Sequence, residues 1–82
     1  MTFKEIFFDM SRQYQFNINL SVEKTESIYA GHARFILAYD NSGLKLRLPA
    51  ENFRQYVTRN GIHGRFQVNL DSDNKIKRLI KL

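Results

Sequence analysis

The chain has no cysteine and no tryptophan, one proline, four glycines, and no long apolar run in its 82 residues. Without cysteine there is neither a disulfide staple nor a thiolate metal site or nucleophile, which fits a reducing compartment. The scarcity of proline and glycine argues against a disordered chain. No segment approaches the ~18 consecutive apolar residues of a membrane span. Lys4, Glu5 and Asp9 interrupt the first ten residues, where a signal peptide would need an apolar core. A cytoplasmic protein with no membrane attachment is therefore expected. At this length the chain should bury only about 60–65% of the surface it exposes unfolded, so the core must be small.

What is present is a motif that occurs twice. His32-Ala33-Arg34-Phe35 precedes a turn at Asp40-Asn41, and His63-Gly64-Arg65-Phe66 precedes one at Asp71-Ser72, with His, Arg, Phe and Asp each recurring 31 residues apart. Each copy follows a helix-like stretch and leads into a short basic-apolar run. This reads as two similar strand-helix-strand units.

Periodicity fills in the elements. Thr2 and Glu5 have the spacing of a capping box, and Phe3, Ile6, Phe7 and Met10 recur at helical spacing, which predicts a short amphipathic helix over residues 3–11. Residues 1–12 are expected to form a separable extension, and its stripe of Phe3, Ile6, Phe7 and Met10 is a candidate self-association surface. The compact domain is expected over 13–82. Tyr14, Phe16, Ile18 and Leu20 alternate with polar residues and predict a half-buried strand. Ser21 is a good N-cap for a helix over Val22 to Ala30, stopped by Gly31, whose thin apolar stripe is little more than Val22 and Tyr29.

A second strand is expected from His32 to Tyr39 with Ala33, Phe35, Leu37 and Tyr39 inward. The turn at Asp40-Asn41-Ser42-Gly43 should fold it onto a third strand, Leu44 to Leu48, with Lys45 and Arg47 outward. Pro49 sits where proline opens a helix, and Ala50, Phe53 and Val57 mark its buried face. A fourth strand, Ile62 to Leu70, should turn Gly64, Phe66, Val68 and Leu70 inward. Ile76 to Leu82 reads as a basic edge strand, where charge opposes edge-to-edge aggregation.

The expected fold is α+β and mainly β: a five-stranded antiparallel sheet curled toward a small barrel, with two short helices besides the N-terminal one. A ferredoxin-like βαββαβ arrangement is the alternative. The expected core is Phe16, Ile18, Phe35, Leu37, Leu46, Phe53, Phe66 and Val68.

Several pieces resemble a known family. Tyr14-Gln15-Phe16, Tyr29-Ala30-Gly31, Leu48-Pro49-Ala50-Glu51, Phe53-Arg54 and Gly61-Ile62-His63-Gly64-Arg65-Phe66 are similar to a family of short uncharacterised bacterial proteins, catalogued as domain of unknown function 2835. The resemblance covers about residues 13–82. It implies no catalytic residue, because no activity is attached to that family.

The residues themselves offer little for catalysis. Phosphate-binding glycine loops and nucleophile elbows are missing from the sequence, and the serines and aspartates sit where capping and turns account for them. His32 and His63 occupy equivalent repeat positions, but a zinc site needs a third and usually a fourth ligand, so no metal and no cofactor is expected. Charge is uneven: residues 1–43 carry four basic and five acidic side chains, residues 44–82 nine and three. Two non-enzymatic functions fit. The first is a small module, monomeric or homodimeric, that binds another protein. The second is weak, non-specific and salt-sensitive binding of nucleic acid or an anionic ligand by the basic half, centred on Lys45, Arg47, Arg65, Lys77 and Arg78. Single-strand binders stack bases on exposed aromatics, and with every strand aromatic placed inward the second reading is the weaker.

Overall fold

A computed structural model describes residues 12–82. The N-terminal helix and its stripe of Phe3, Ile6, Phe7 and Met10 lie outside the described residues. The order of elements is β1 (Arg12–Leu20), α1 (Val22–Tyr29), β2 (Phe35–Tyr39), β3 (Lys45–Pro49), a 3-10 helix (Ala50–Tyr56), β4 (Ile62–Leu70) and β5 (Ile76–Lys81).

The alternation in β1 and β4 does what period-2 patterns do. The two strands pair antiparallel along their whole length, from Arg12 opposite Leu70 to Leu20 opposite Ile62, and Phe16, Ile18, Ile62, Phe66, Val68 and Leu70 are all buried. Strand β5 adds to β4 and is an edge, as its charges suggest. Strands β2 and β3 form a separate antiparallel hairpin. The mainly β class and the antiparallel sense are as expected, but the single sheet curled toward a barrel is not. Among the described residues the strands form one three-stranded and one two-stranded sheet, joined by an isolated bridge between Phe16 and Asp40, and no barrel closes. The ferredoxin-like alternative fails as well, because among the described residues every strand pairing is antiparallel and a βαβ unit needs parallel neighbours.

The core lies between the sheets and is centred on aromatic rings. Phe16 stacks on Phe66 at 6.1 Å between centroids, Phe53 meets both edge-on at 6.3 and 5.6 Å, and Tyr56 meets Phe66 edge-on at 5.1 Å. Edge-to-face contacts set the positive ring edge against a negative face and add to the burial energy. The 3-10 helix delivers Phe53. Its residues three apart eclipse, so Ala50 and Phe53 are buried together. Tyr56 fastens the same element to β5 by donating its hydroxyl to the Leu79 carbonyl at 3.2 Å.

Helix α1 starts and stops as its sequence requires. The Ser21 hydroxyl accepts from the Lys24 amide, and Gly31 takes the left-handed conformation after Ala30 (φ 82°). Its buried face is Thr25 and Ile28, not Val22 and Tyr29, which are exposed. Gly61 answers to a tighter constraint. Its φ is 101° and an added Cβ would lie 2.0 Å from the Leu20 carbonyl oxygen, so only glycine lets the chain enter β4 against the end of β1.

The repeated motif survives as two equivalent hairpin loops. In one, the Asp40 carboxylate accepts from the amides of Ser42 and Leu44; in the other, Asp71 accepts from Asp73 and Lys75. The backbone matches too: Asp40 N–H bonds to the Leu44 carbonyl and Asp71 N–H to that of Lys75. Positive φ falls on Gly43 in one loop and on Asn74 in the other, 31 residues on.

These loops should give the stability a dependence on acid pH. The Asp71 carboxyl lies below its ordinary value of 3.8, held down first by the Lys75 amide and further by the Asp73 amide and the charges of Lys75 and Lys77, against partial burial pulling upward. At Asp40 partial burial pulls upward, but the Ser42 hydroxyl and the amides of Leu44, Ser42 and Gly43 outweigh it and lower the value. A carboxyl that binds its proton less readily folded than unfolded contributes stability above its unfolded pKa and loses it as pH falls through the folded one. Melting temperature should therefore drop below about pH 4, where unfolded Asp titrates. An Asp40→Asn, Asp71→Asn variant should show a shallower drop. An identical acid dependence in that variant would show that the loops are not its source.

Candidate functional site

The strand parity of β2 is the main departure from the sequence reading, and it creates the site. Strand β2 begins at Phe35 rather than His32, and its buried residues are Ile36 and Ala38. Phe35, Leu37 and Tyr39 face solvent with 46, 56 and 61% of their surfaces exposed. Phe35 and Leu37 are thus not core residues. Pairing with β3 is the cause. Leu48 stands opposite Ile36 and Leu46 opposite Ala38, and since both leucines are buried their partners must share their face.

The outward face of the hairpin then carries Tyr39 opposite Lys45, Leu37 opposite Arg47, and Phe35 opposite Pro49. The Arg47 guanidinium carbon lies 3.9 Å from the Phe35 ring centroid, a cation–π contact that holds both side chains against the ribbon. Leu44, at the end of the loop, is also exposed, with 47% of its surface in solvent. Neither strand contributes an acidic side chain. Asp40, next to Tyr39 in the loop, is committed to the loop amides, and Glu51 lines a recess at the Phe35 end of the hairpin. The result is a flat, two-stranded platform of aromatic rings with two cations among them. Such a surface can stack planar groups and attract negative charge.

The five cations expected to bind an anion fall into three settings. Lys45 and Arg47 are brought together on this platform. Arg65 sits on β4 and is already engaged: its guanidinium donates to Asn41 Oδ1 at 2.7 Å, Asn17 Oδ1 at 3.3 Å and Gln15 Oε1 at 3.4 Å. Through Asn41 it ties the hairpin loop to the larger sheet, so its evident job is to hold the two sheets together. Lys77 and Arg78 are exposed on β5, Lys77 being the extra residue of a bulge between the pairs Asn69–Arg78 and Leu70–Ile76.

The repeat-related histidines also differ. His32 is exposed in the loop after α1. His63, the second residue of β4, has its Nδ1 paired to Asn19 Oδ1 and its Nε2 2.6 Å from the Asn60 carbonyl, so both ring nitrogens are occupied. Among the described residues no helix is long and apolar enough to cross a membrane.

Sequence periodicity missed the outward Phe35, Leu37 and Tyr39 because residues 35–39, Phe-Ile-Leu-Ala-Tyr, are apolar throughout and define no alternation. A usable signal was one strand away. The loop from Asp40 to Leu44 fixes the hairpin register, and the clear alternation of Lys45-Leu46-Arg47-Leu48 could have been carried across it to β2.

A family model described as "Protein of unknown function (DUF2835)" matches residues 12–82, and the chain belongs to that family. No curated protein and no solved structure matches the chain.

Proposed function

We propose that this member of the DUF2835 family is a non-enzymatic binding module whose working surface is the outward face of the β2–β3 hairpin, and that its partner is single-stranded nucleic acid. The observation that carries the reading is the placement of Phe35 and Tyr39 in solvent on the same ribbon as Lys45 and Arg47. Stacking on aromatic and guanidinium planes supplies base affinity with little sequence preference, and the cations track the phosphates. The objection that no aromatic faces solvent disappears with the parity of β2.

The test is co-elution of the full chain with an oligothymidylate on a sizing column at two salt concentrations. A complex is expected at low salt and its loss at moderate salt, because phosphate contacts release counterions. Binding of one sequence alone, insensitive to salt, would contradict this mechanism.

A second reading rests on Leu37 and Leu44, which are exposed yet stack no base. They fit an apolar protein surface, a second copy of this chain included. No co-elution at either salt, together with a dimer that Leu37→Lys converts to a monomer, would favour that partner.

A further inference from the structure

Beside the hairpin platform lies a groove of about 520 Å³, bounded by β3 on one side and by the ends of β1, β4 and β5 on the other. Among the described residues that line it, four are cationic, Arg12, Lys45, Arg47 and Lys75, and none is acidic. Two carboxylates flank the groove in sequence without lining it: Asp71 accepts from the Lys75 and Asp73 amides within its own loop, and Asp73 is exposed at the loop tip. Arg12 is held in place by donating to Asn74 Oδ1, and Asn74 is itself set in a left-handed conformation by that loop (φ 65°). Tyr14 forms part of the wall, half-buried.

Four like charges around one concavity repel one another, and a concave wall of low dielectric concentrates their field. An anion relieves that repulsion. A phosphate suits the place better than a carboxylate, because its several oxygens accept from guanidinium and ammonium donors on more than one wall at once. Lys45 and Arg47 border both the groove and the aromatic platform, so the two surfaces are continuous.

We infer that this groove between the sheets takes the phosphates of the same single strand whose bases lie on the hairpin platform. The inference rests on the function proposed above. It assigns Arg12 and Lys75 to binding, although they lie on neither strand of the hairpin. Four phosphate contacts on a single strand give a slope of log K against log salt of about −3, and each lost contact reduces it by about 0.7.

The experiment is fluorescence anisotropy of a labelled oligothymidylate with the full chain over a series of salt concentrations, comparing Lys75→Gln, Arg12→Gln and Tyr39→Ser. Lys75→Gln should weaken binding several-fold at low salt and flatten the salt slope. Arg12→Gln should do the same; its melting temperature is checked because it also gives up the bond to Asn74. Tyr39→Ser should weaken binding with the slope unchanged. If Lys75→Gln and Arg12→Gln leave affinity and slope unaltered while Tyr39→Ser still weakens binding, the groove is not a phosphate site and the platform reading stands alone. If the wild-type chain binds no oligothymidylate, the platform reading has failed, and pyrophosphate followed by amide resonances decides the groove. Saturable shifts at Asn74 and Lys75 that Lys75→Gln abolishes retain it as a phosphate site; unshifted resonances overturn it.

Discussion

Phe66→Ala should destabilise the protein by about 3–5 kcal/mol, the usual consequence of emptying a buried phenylalanine site. Phe35→Ala, the same substitution at the equivalent position of the other repeat, should change stability by no more than about 0.5 kcal/mol, as surface replacements do. Phe66 is fully buried and touches the rings of Phe16, Phe53 and Tyr56, so its loss opens a cavity at the point where both sheets and the 3-10 helix meet. Phe16 is held by strand pairing and Tyr56 by its bond to the Leu79 carbonyl, so the neighbours collapse only partly into the space. Phe35 leaves nearly half its surface in water, and its ring lies against the Arg47 guanidinium. Small domains have about 5–15 kcal/mol of stability in all, so Phe66→Ala should leave a chain that unfolds at modest urea concentration. Urea titrations of the two variants side by side make the comparison. Equal losses would mean that β2 turns Phe35 inward after all, and the binding platform would not exist.

The asymmetry between these two phenylalanines marks where the sequence stops being legible. Strands β1 and β4 alternate cleanly, and their faces, their length and the burial of Phe16, Ile18, Phe66 and Val68 follow from that pattern. Ser21, Gly31, Pro49 and the two aspartate turns act locally, through caps and amides a few residues away, so they too can be read off. What cannot be read is set by contacts distant in sequence. Periodicity reports which residues share a face; it is silent on which strand lies alongside. Two sheets joined by one bridge therefore look the same in sequence as one sheet of five strands.

The repeat itself misleads in a specific way. Tyr39–Lys45 and Leu70–Ile76 are equivalent pairs next to equivalent loops, yet the first points to solvent and the second toward the core. The bulge at Lys77 lets β5 change parity after Ile76 and keep Leu79 opposite Val68. The hairpin of β2 and β3 has no such bulge, and Leu46 and Leu48 hold it with its other face inward. Two copies of one local motif thus built a core strand and an exposed platform. The candidate site was legible only by half: Lys45 and Arg47 stood out as outward cations, whereas the rings beside them were assigned to the core.

A Phe35→Ser, Tyr39→Ser double variant should lose at least thirtyfold in affinity for an oligothymidylate while keeping the wild-type melting temperature. Stacking of a base on an aromatic ring is worth about 1–3 kcal/mol, so two rings supply about 2–6 kcal/mol. Stability should hold, because both side chains lie on the outward face and neither belongs to the core cluster. The conservative Tyr39→Phe should bind like wild type, since the ring and not the hydroxyl makes the stack. Lys45→Gln with Arg47→Gln separates the other contribution: it should weaken binding most at low salt and flatten the salt dependence, whereas the ring variant leaves that dependence intact. The four proteins are compared by anisotropy at fixed salt, with thermal unfolding as the check on folding. A double-serine variant that melts normally and binds as tightly as wild type would remove the aromatic platform from the mechanism and leave charge alone to account for any binding.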